Sequence, residues 1–347
     1  MHMIQQQEKE KPNIQYMAKG ALIIGVVGFH SLLYEDNIAF KRLHIVFCVF
    51  PYIMNMFFFY SGFNYASGKR SPIDNIKRRT KQLLIPLITM FFVALILIGG
   101  LQLITGNTQM IGIWHAIKNL LVSNGGVITW NVDVSKRCYD LTLAIGELWY
   151  LYTLYIISIL FYLLVDWAIS KLRNLLIIVI PLLIISFLIG QFIGYYLPYA
   201  VQSYPLILAI MLVGAYIRKK DLLNIPLDNK KNISISIILM IVFEGIIIGL
   251  SLLCYYAFGA TTVGSLIGGG LNETIKGFDV FVAFLMSILG AFVIHTLMKF
   301  ISKIKFVSSF FEIFGKNSAL VYLTHPILLS YIHTLIYWRN NDIFGWL

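Results

Sequence analysis

The sequence predicts an all-α fold, a polytopic transmembrane helical bundle of about nine to ten spans with a cytoplasmic N-terminus. Three observations predict it. Of the 347 residues, 59% are hydrophobic and only 12% charged, against roughly 45–50% and about 25% in soluble domains; mean hydropathy is +0.79. The apolar residues fall in runs long enough to cross a bilayer, which takes about 20 residues. The basic residues gather in alternate connections between those runs. A soluble core stops growing near roughly 250–300 residues, so a soluble enzyme has nowhere to bury this surface. A disordered chain and a disulfide-stapled secreted domain are excluded with it. Cys48, Cys138 and Cys254 give neither a paired framework nor a metal-ligand spacing. The formal charge of +11 then reflects positive-inside topology and anionic lipid rather than nucleic acid.

Residues 1–16 read as a polar N-terminal tail. The first apolar run, roughly 17–34, has no small-residue cleavage site and reads as a permanent span. Further spans are expected at roughly 45–66, 82–105, 146–167, 174–196, 202–217, 232–257, 277–300 and 317–337, and a tenth, re-entrant segment between 108 and 130 stays open. With the N-terminus inside, the inner loops carry Lys69 to Lys81, Lys171 and Arg173, Arg218 to Lys220, Lys230 and Lys231, and Lys299 to Lys316. The outer loops hold far fewer basic residues. Residues 106–145 form a long outer loop, a length that is usually functional or disordered. No internal repeat is present, and residues 1–347 read as a single integral-membrane domain.

Ionisable groups inside spans are costly and mark candidate sites. Lys19 and His30 are eleven residues apart on the first span, about 20° from a common helix face and about 16 Å apart along the axis. A neutral imidazole serves as a general base near neutral pH, and Glu35 or Asp36 follows one turn later. The same pattern also fits an interfacial anchor and a satisfied histidine. Gly25 and Gly28 on this span offer a close helix approach. Lys77, Arg78, Arg79 and Lys81 form a basic cluster suited to phosphate, or to topology alone. Glu147, Trp149 and Tyr150 open the fourth span, and Trp149 with Tyr150 also fits an aromatic belt. Glu244 and His295 lie well inside their spans and carry no assigned role. His325 is in mid-span before Pro326, which weakens the local helix.

Four stretches, in order, resemble the membrane-bound acyltransferase 3 family, most closely its fucose 4-O-acetylase-like branch. Lys19 to Ser31 is similar to the branch's Lys-Gly, aliphatic run and Gly-His-Ser. Phe57-Phe58-Phe59-Tyr60-Ser61-Gly62-Phe63 resembles its Phe-Phe-Phe-Ile-Ser-Gly-Phe, followed by the basic segment and Pro86. Gly146 to Leu151 is similar to Gly-Pro-Leu-Trp-Phe-Leu, and Gly315 to Pro326 to Gly-Lys-Asn-Ser with a Tyr-Leu pair and His-Pro. Ile53-Met54-Asn55 stands where the branch carries His-Met-Pro, and Glu147 where it carries proline.

The resemblance implies transfer of an acetyl group from cytoplasmic acetyl-CoA to a hydroxyl of a cell-envelope glycan or lipid-linked sugar, in the bacterial cytoplasmic membrane and without a metal. It implies catalytic roles for His30, Glu147, Glu35 and His325. Donor binding falls to Lys19, Lys77, Arg78, Arg79 and Lys81, and substrate contacts to Ser61, Trp149 and Tyr322. The competing reading is a flippase or exporter of a lipid-linked or acylated glycan. Such transporters usually show internal repeats or paired broken helices, and neither is visible here.

Overall fold

The computed structural model describes residues 12–33, 53–104, 149–192, 198–258 and 279–329. Among these, every regular element is a helix. The chain runs α1 (Ile14–Leu33), α2 (Ile53–Phe63), α3 (Pro72–Arg79), a π-turn (Thr80–Leu84), α4 (Ile85–Ile104), α5 (Trp149–Ala168) and α6 (Leu172–Phe192). A 3-10 turn (Pro198–Ser203) leads into α7 (Tyr204–Lys219), followed by α8 (Lys230–Phe258), α9 (Asp279–Ile301), α10 (Lys305–Lys316) and α11 (Ser318–Leu329).

Among the described residues, six helices are long and apolar enough to cross a bilayer, and three shorter apolar helices, Ile14–Gly28, Ile53–Phe63 and Ser318–Leu329, accompany them. Each of the nine expected spans therefore has an apolar helix. Their outer faces are largely apolar. Ile177, Ile180 and Ile184 on α6 and Ile238, Ile241 and Val242 on α8 are exposed, a surface that water would not tolerate and lipid covers. The protein is a multi-pass membrane protein.

Packing is densest around α2. Nine of its eleven residues, Asn55 to Phe63, are buried, with Phe58, Phe59 and Tyr60 wholly inaccessible. Helices α1, α7 and α9 surround it. Two glycine crossings bring backbones together. A Cβ on Gly62 would strike the Met211 carbonyl, and one on Gly214 would lie 2.5 Å from the Phe59 oxygen. Small residues are what allow such approach between apolar helices.

The second crossing joins α1 to the C-terminal half of α10. Added Cβ atoms on Gly20 and Gly315 would collide with the Phe311 and Tyr16 carbonyls respectively. The expected access at Gly25 and Gly28 is not where this crossing falls. Among the described residues, a Cβ on Gly25 would meet only the tip of Ile53, 3.0 Å away, and one on Gly28 would meet nothing within 4 Å. The crossing falls one and a half to two turns earlier, where the partner also lacks a side chain.

Two local structures differ from the apolar-run reading. The third helix does not begin after the basic cluster. Ser71 caps α3 by accepting from the Asp74 amide at 3.1 Å, with Pro72 in the first turn, a strong start signal. Lys77 to Lys81 are thus helical. The stretch after α9, expected as a loop, holds α10, whose far face exposes Phe306, Phe310 and Ile313. These three lie within about 60° of one another around the helix, an amphipathic pattern.

Candidate active site

The four motif stretches, scattered along the chain, converge on one region of the bundle. Lys19 and Gly20 sit at the α1 crossing with Gly315. Lys19 lies close enough to Arg79 for the two charges to interact. Arg79 ends α3 and is half-buried, while Lys77, Arg78 and Lys81 are exposed. Its Nε donates to the Tyr162 hydroxyl on α5 at 2.9 Å. The structure therefore separates Arg79 from the rest of the basic cluster.

Tyr150, in the first turn of α5, links the other stretches. Its side chain is hydrogen-bonded to Ser61 of α2 and feels the charge of Arg79. Its ring packs 4.6 Å from Phe58, 5.9 Å from Phe57 and 5.1 Å from Tyr322 on α11. Tyr322 in turn lies 5.6 Å from the imidazole of His325. Tyr150, Tyr322 and His325 are all buried. His325 Nδ1 donates to the Val321 carbonyl at 3.1 Å, because a carbonyl oxygen only accepts. The neutral ring then carries its lone pair on Nε2.

The segment bearing Arg79 is held from several points. Tyr65 donates to one oxygen of Asp166 at 2.8 Å and Ser67 to the other at 2.7 Å. Burial, and then the hydrogen bond and charge of Asp166, hold the Tyr65 phenol well above its usual range, so it stays a donor. The Thr80 hydroxyl donates to the Ile76 carbonyl at 3.1 Å, which leaves Tyr155 to donate to Thr80 at 3.0 Å. Thr80 opens the π-turn. Such turns, with one extra residue, shift helix phase and recur at functional sites.

The helix of His30 is described to Leu33, but its imidazole and the Trp149 indole lie outside the described side chains. Glu35 and Glu147 lie outside the described residues. Reading the sequence did not single out Tyr155, Tyr162 or Asp166, and it placed Tyr150 only at the opening of the fourth span, as part of an aromatic belt. The available signal was their spacing: Tyr155, Tyr162 and Asp166 fall within about 40° of each other on α5.

His295 and Glu244 stay apart from this constellation. His295 is buried on α9, 5.8 Å from the Phe63 ring, and no partner is found for its Nδ1 among the described residues. Glu244 sits half-buried on α8. Lys299, a turn beyond His295, donates to Leu223 O, Asn224 Oδ1 and Ile225 O at 3.1, 2.8 and 3.1 Å, tying the α7–α8 connection to α9. Among the described residues, no group of three or more His, Cys, Asp or Glu could hold a metal ion.

No curated protein and no solved structure matches the chain. A family model does: that of the acyltransferase domain matches residues 17–346, spanning α1 to the end of α11 and beyond. Together with the helical bundle that gathers Lys19, Arg79, Tyr150 and His325, this match establishes that the chain belongs to the acyltransferase 3 family and is a membrane acyltransferase.

Proposed function

We propose that the protein is an O-acetyltransferase of the fucose 4-O-acetylase-like branch, working as one membrane domain in the bacterial cytoplasmic membrane. It moves an acetyl group from cytoplasmic acetyl-CoA to a hydroxyl of a cell-envelope glycan or lipid-linked sugar. The observation that carries this reading is the convergence of the four motif stretches around Arg79 and Tyr150. In it, a cationic end formed by Lys19 and Arg79 is joined through Tyr150 to the buried His325.

The cationic end receives the donor's phosphates, and Lys77, Arg78 and Lys81 add to the field at its mouth. The thioester arm enters between α1 and α5 towards His30. The acceptor hydroxyl attacks the thioester carbonyl while His30 takes its proton, and Glu35 or Glu147 steadies the imidazolium. The tetrahedral intermediate collapses with cleavage of the C–S bond. The thiolate of CoA leaves and takes the proton back from His30. Ser61, Tyr322 and Trp149 line the acceptor side, and His325, basic at Nε2, orders the hydroxyl groups of the sugar.

The test is transfer of labelled acetyl from acetyl-CoA to cell-envelope glycan by the purified full chain. His30→Ala is expected to lower turnover by about 100-fold or more while leaving acetyl-CoA binding intact. A folded His30→Ala protein that acetylates glycan at the wild-type rate would refute the reading.

A further inference from the structure

Asp166, Tyr162 and Tyr155 form one polar stripe on α5, and all three hold the segment from Tyr65 to Thr80. Two of these contacts are closed. Asp166 has both oxygens occupied, by Tyr65 and Ser67, and Tyr155 spends its proton on Thr80. The third is different. Tyr162 is nearly inaccessible, yet its oxygen only accepts, from Arg79 Nε. Its own proton finds no acceptor among the described residues. Arg79 likewise makes no other hydrogen bond there, so its two terminal nitrogens are left over.

A guanidinium carries five N–H donors in a rigid plane. Tying Nε to a fixed phenol oxygen removes the freedom of the plane and reserves the Nη edge. That edge is the one that binds a phosphate through two parallel hydrogen bonds. The phenol that accepts from Nε lies at the other end of the guanidinium, so it holds the plane without obstructing that edge.

We infer that Tyr162 is a positioning residue for the acyl donor: it fixes the Arg79 guanidinium for two-point recognition of a donor phosphate at its Nη edge. The inference rests on the acetyl-CoA reading above. It makes Tyr162 a determinant of donor affinity rather than of the acyl-transfer step.

The experiment titrates acetyl-CoA into the purified full chain in detergent by calorimetry. Wild type is compared with Tyr162→Phe, Tyr162→Gln, Tyr155→Phe, and Arg79→Ala with and without Tyr162→Phe. Tyr162→Phe is expected to weaken binding about tenfold, and to raise the KM for acetyl-CoA with kcat within about twofold. Tyr162→Gln, whose amide still accepts from Nε, recovers part of the loss. Tyr155→Phe breaks an equivalent contact on the same stripe without touching Arg79, and is expected to bind as wild type does. In the Arg79→Ala background, Tyr162→Phe should cost far less than it does alone.

Wild-type affinity in Tyr162→Phe overturns the inference, and so does an equal loss with and without Arg79. Should Tyr162→Phe fail to fold, a Tyr162→Gln protein that binds no better than Arg79→Ala overturns it. No binding by wild type removes the donor reading itself. Binding by wild type that is indifferent to Tyr162 removes only the positioning role.

Discussion

Arg78 and Arg79 are adjacent and identical in the sequence, and the structure predicts that they behave differently. Arg78 is exposed at the end of α3, whereas Arg79 is half-buried, bonded to Tyr162 and within electrostatic reach of Lys19 and Tyr150. An exposed charge acting on a flexible anion through water contributes little, less than about fivefold in affinity. A charge held in place by a buried partner makes charge-assisted hydrogen bonds worth about 1.5–3 kcal/mol each, or about 10–150-fold. Arg78→Ala is therefore expected to change the acetyl-CoA dissociation constant by less than about fivefold, and Arg79→Ala by at least about tenfold. Arg79→Lys keeps the charge but loses the planar fork, and its loss should be nearly as large. Calorimetry on the detergent-purified chain reads all three, with a thermal melt as the check on folding. Equal losses for Arg78→Ala and Arg79→Ala would mean that the cluster acts as a diffuse field, and the reasoning from burial would be wrong.

Two further outcomes follow from geometry outside the donor contacts. Gly20→Val places a side chain against the Phe311 carbonyl, with Gly315 N only 3.0 Å from the new Cβ. Backbone cannot rotate away as a side-chain tip does, so the loss should reach or exceed the usual overpacking cost of about 1–3 kcal/mol, measured as a lowered Tm in detergent. The raised Tyr65 phenol predicts alkaline sensitivity. Its stabilising contribution is complete below the ordinary tyrosine value of 10.0 and declines as pH rises above it, because only the unfolded chain ionises readily there. Tyr65→Phe should flatten the fall in Tm above pH 10, and an unchanged slope would count against the Asp166 clasp.

The membrane architecture was legible because it depends on long-range composition. Hydrocarbon forces apolar faces outward over whole helices, and the charge bias punctuates them. The basic cluster and His325 were visible as polar residues out of place, and Ser61 and Tyr322 through the motif resemblance. What the runs concealed was phase. Whether Arg78 or Arg79 faces inward depends on a Ser71-capped start and a π-turn, both finer than a hydropathy window resolves. Gly20 passed unremarked because a glycine on one helix advertises access without naming its partner. Only the opposing Gly315 makes Gly20 the contact. Helix α10 was hidden because twelve residues of mixed polarity read equally as a charged loop. Tyrosines on α5 passed as apolar until their hydroxyls met partners on a distant segment.

The meeting of Gly20 with Gly315 has a consequence for how the protein is made. Helix α1 finds this partner only after roughly 300 further residues, which at about 5–20 residues per second takes about 15–60 s. Through that interval Lys19 sits in an apolar helix whose neighbour is still unsynthesised. Closing a loop of this length is entropically the most remote step of assembly. The end of the bundle that carries Lys19 and Arg79 is therefore completed only when α10 docks on α1, and a chain interrupted before α10 accumulates as an incomplete bundle.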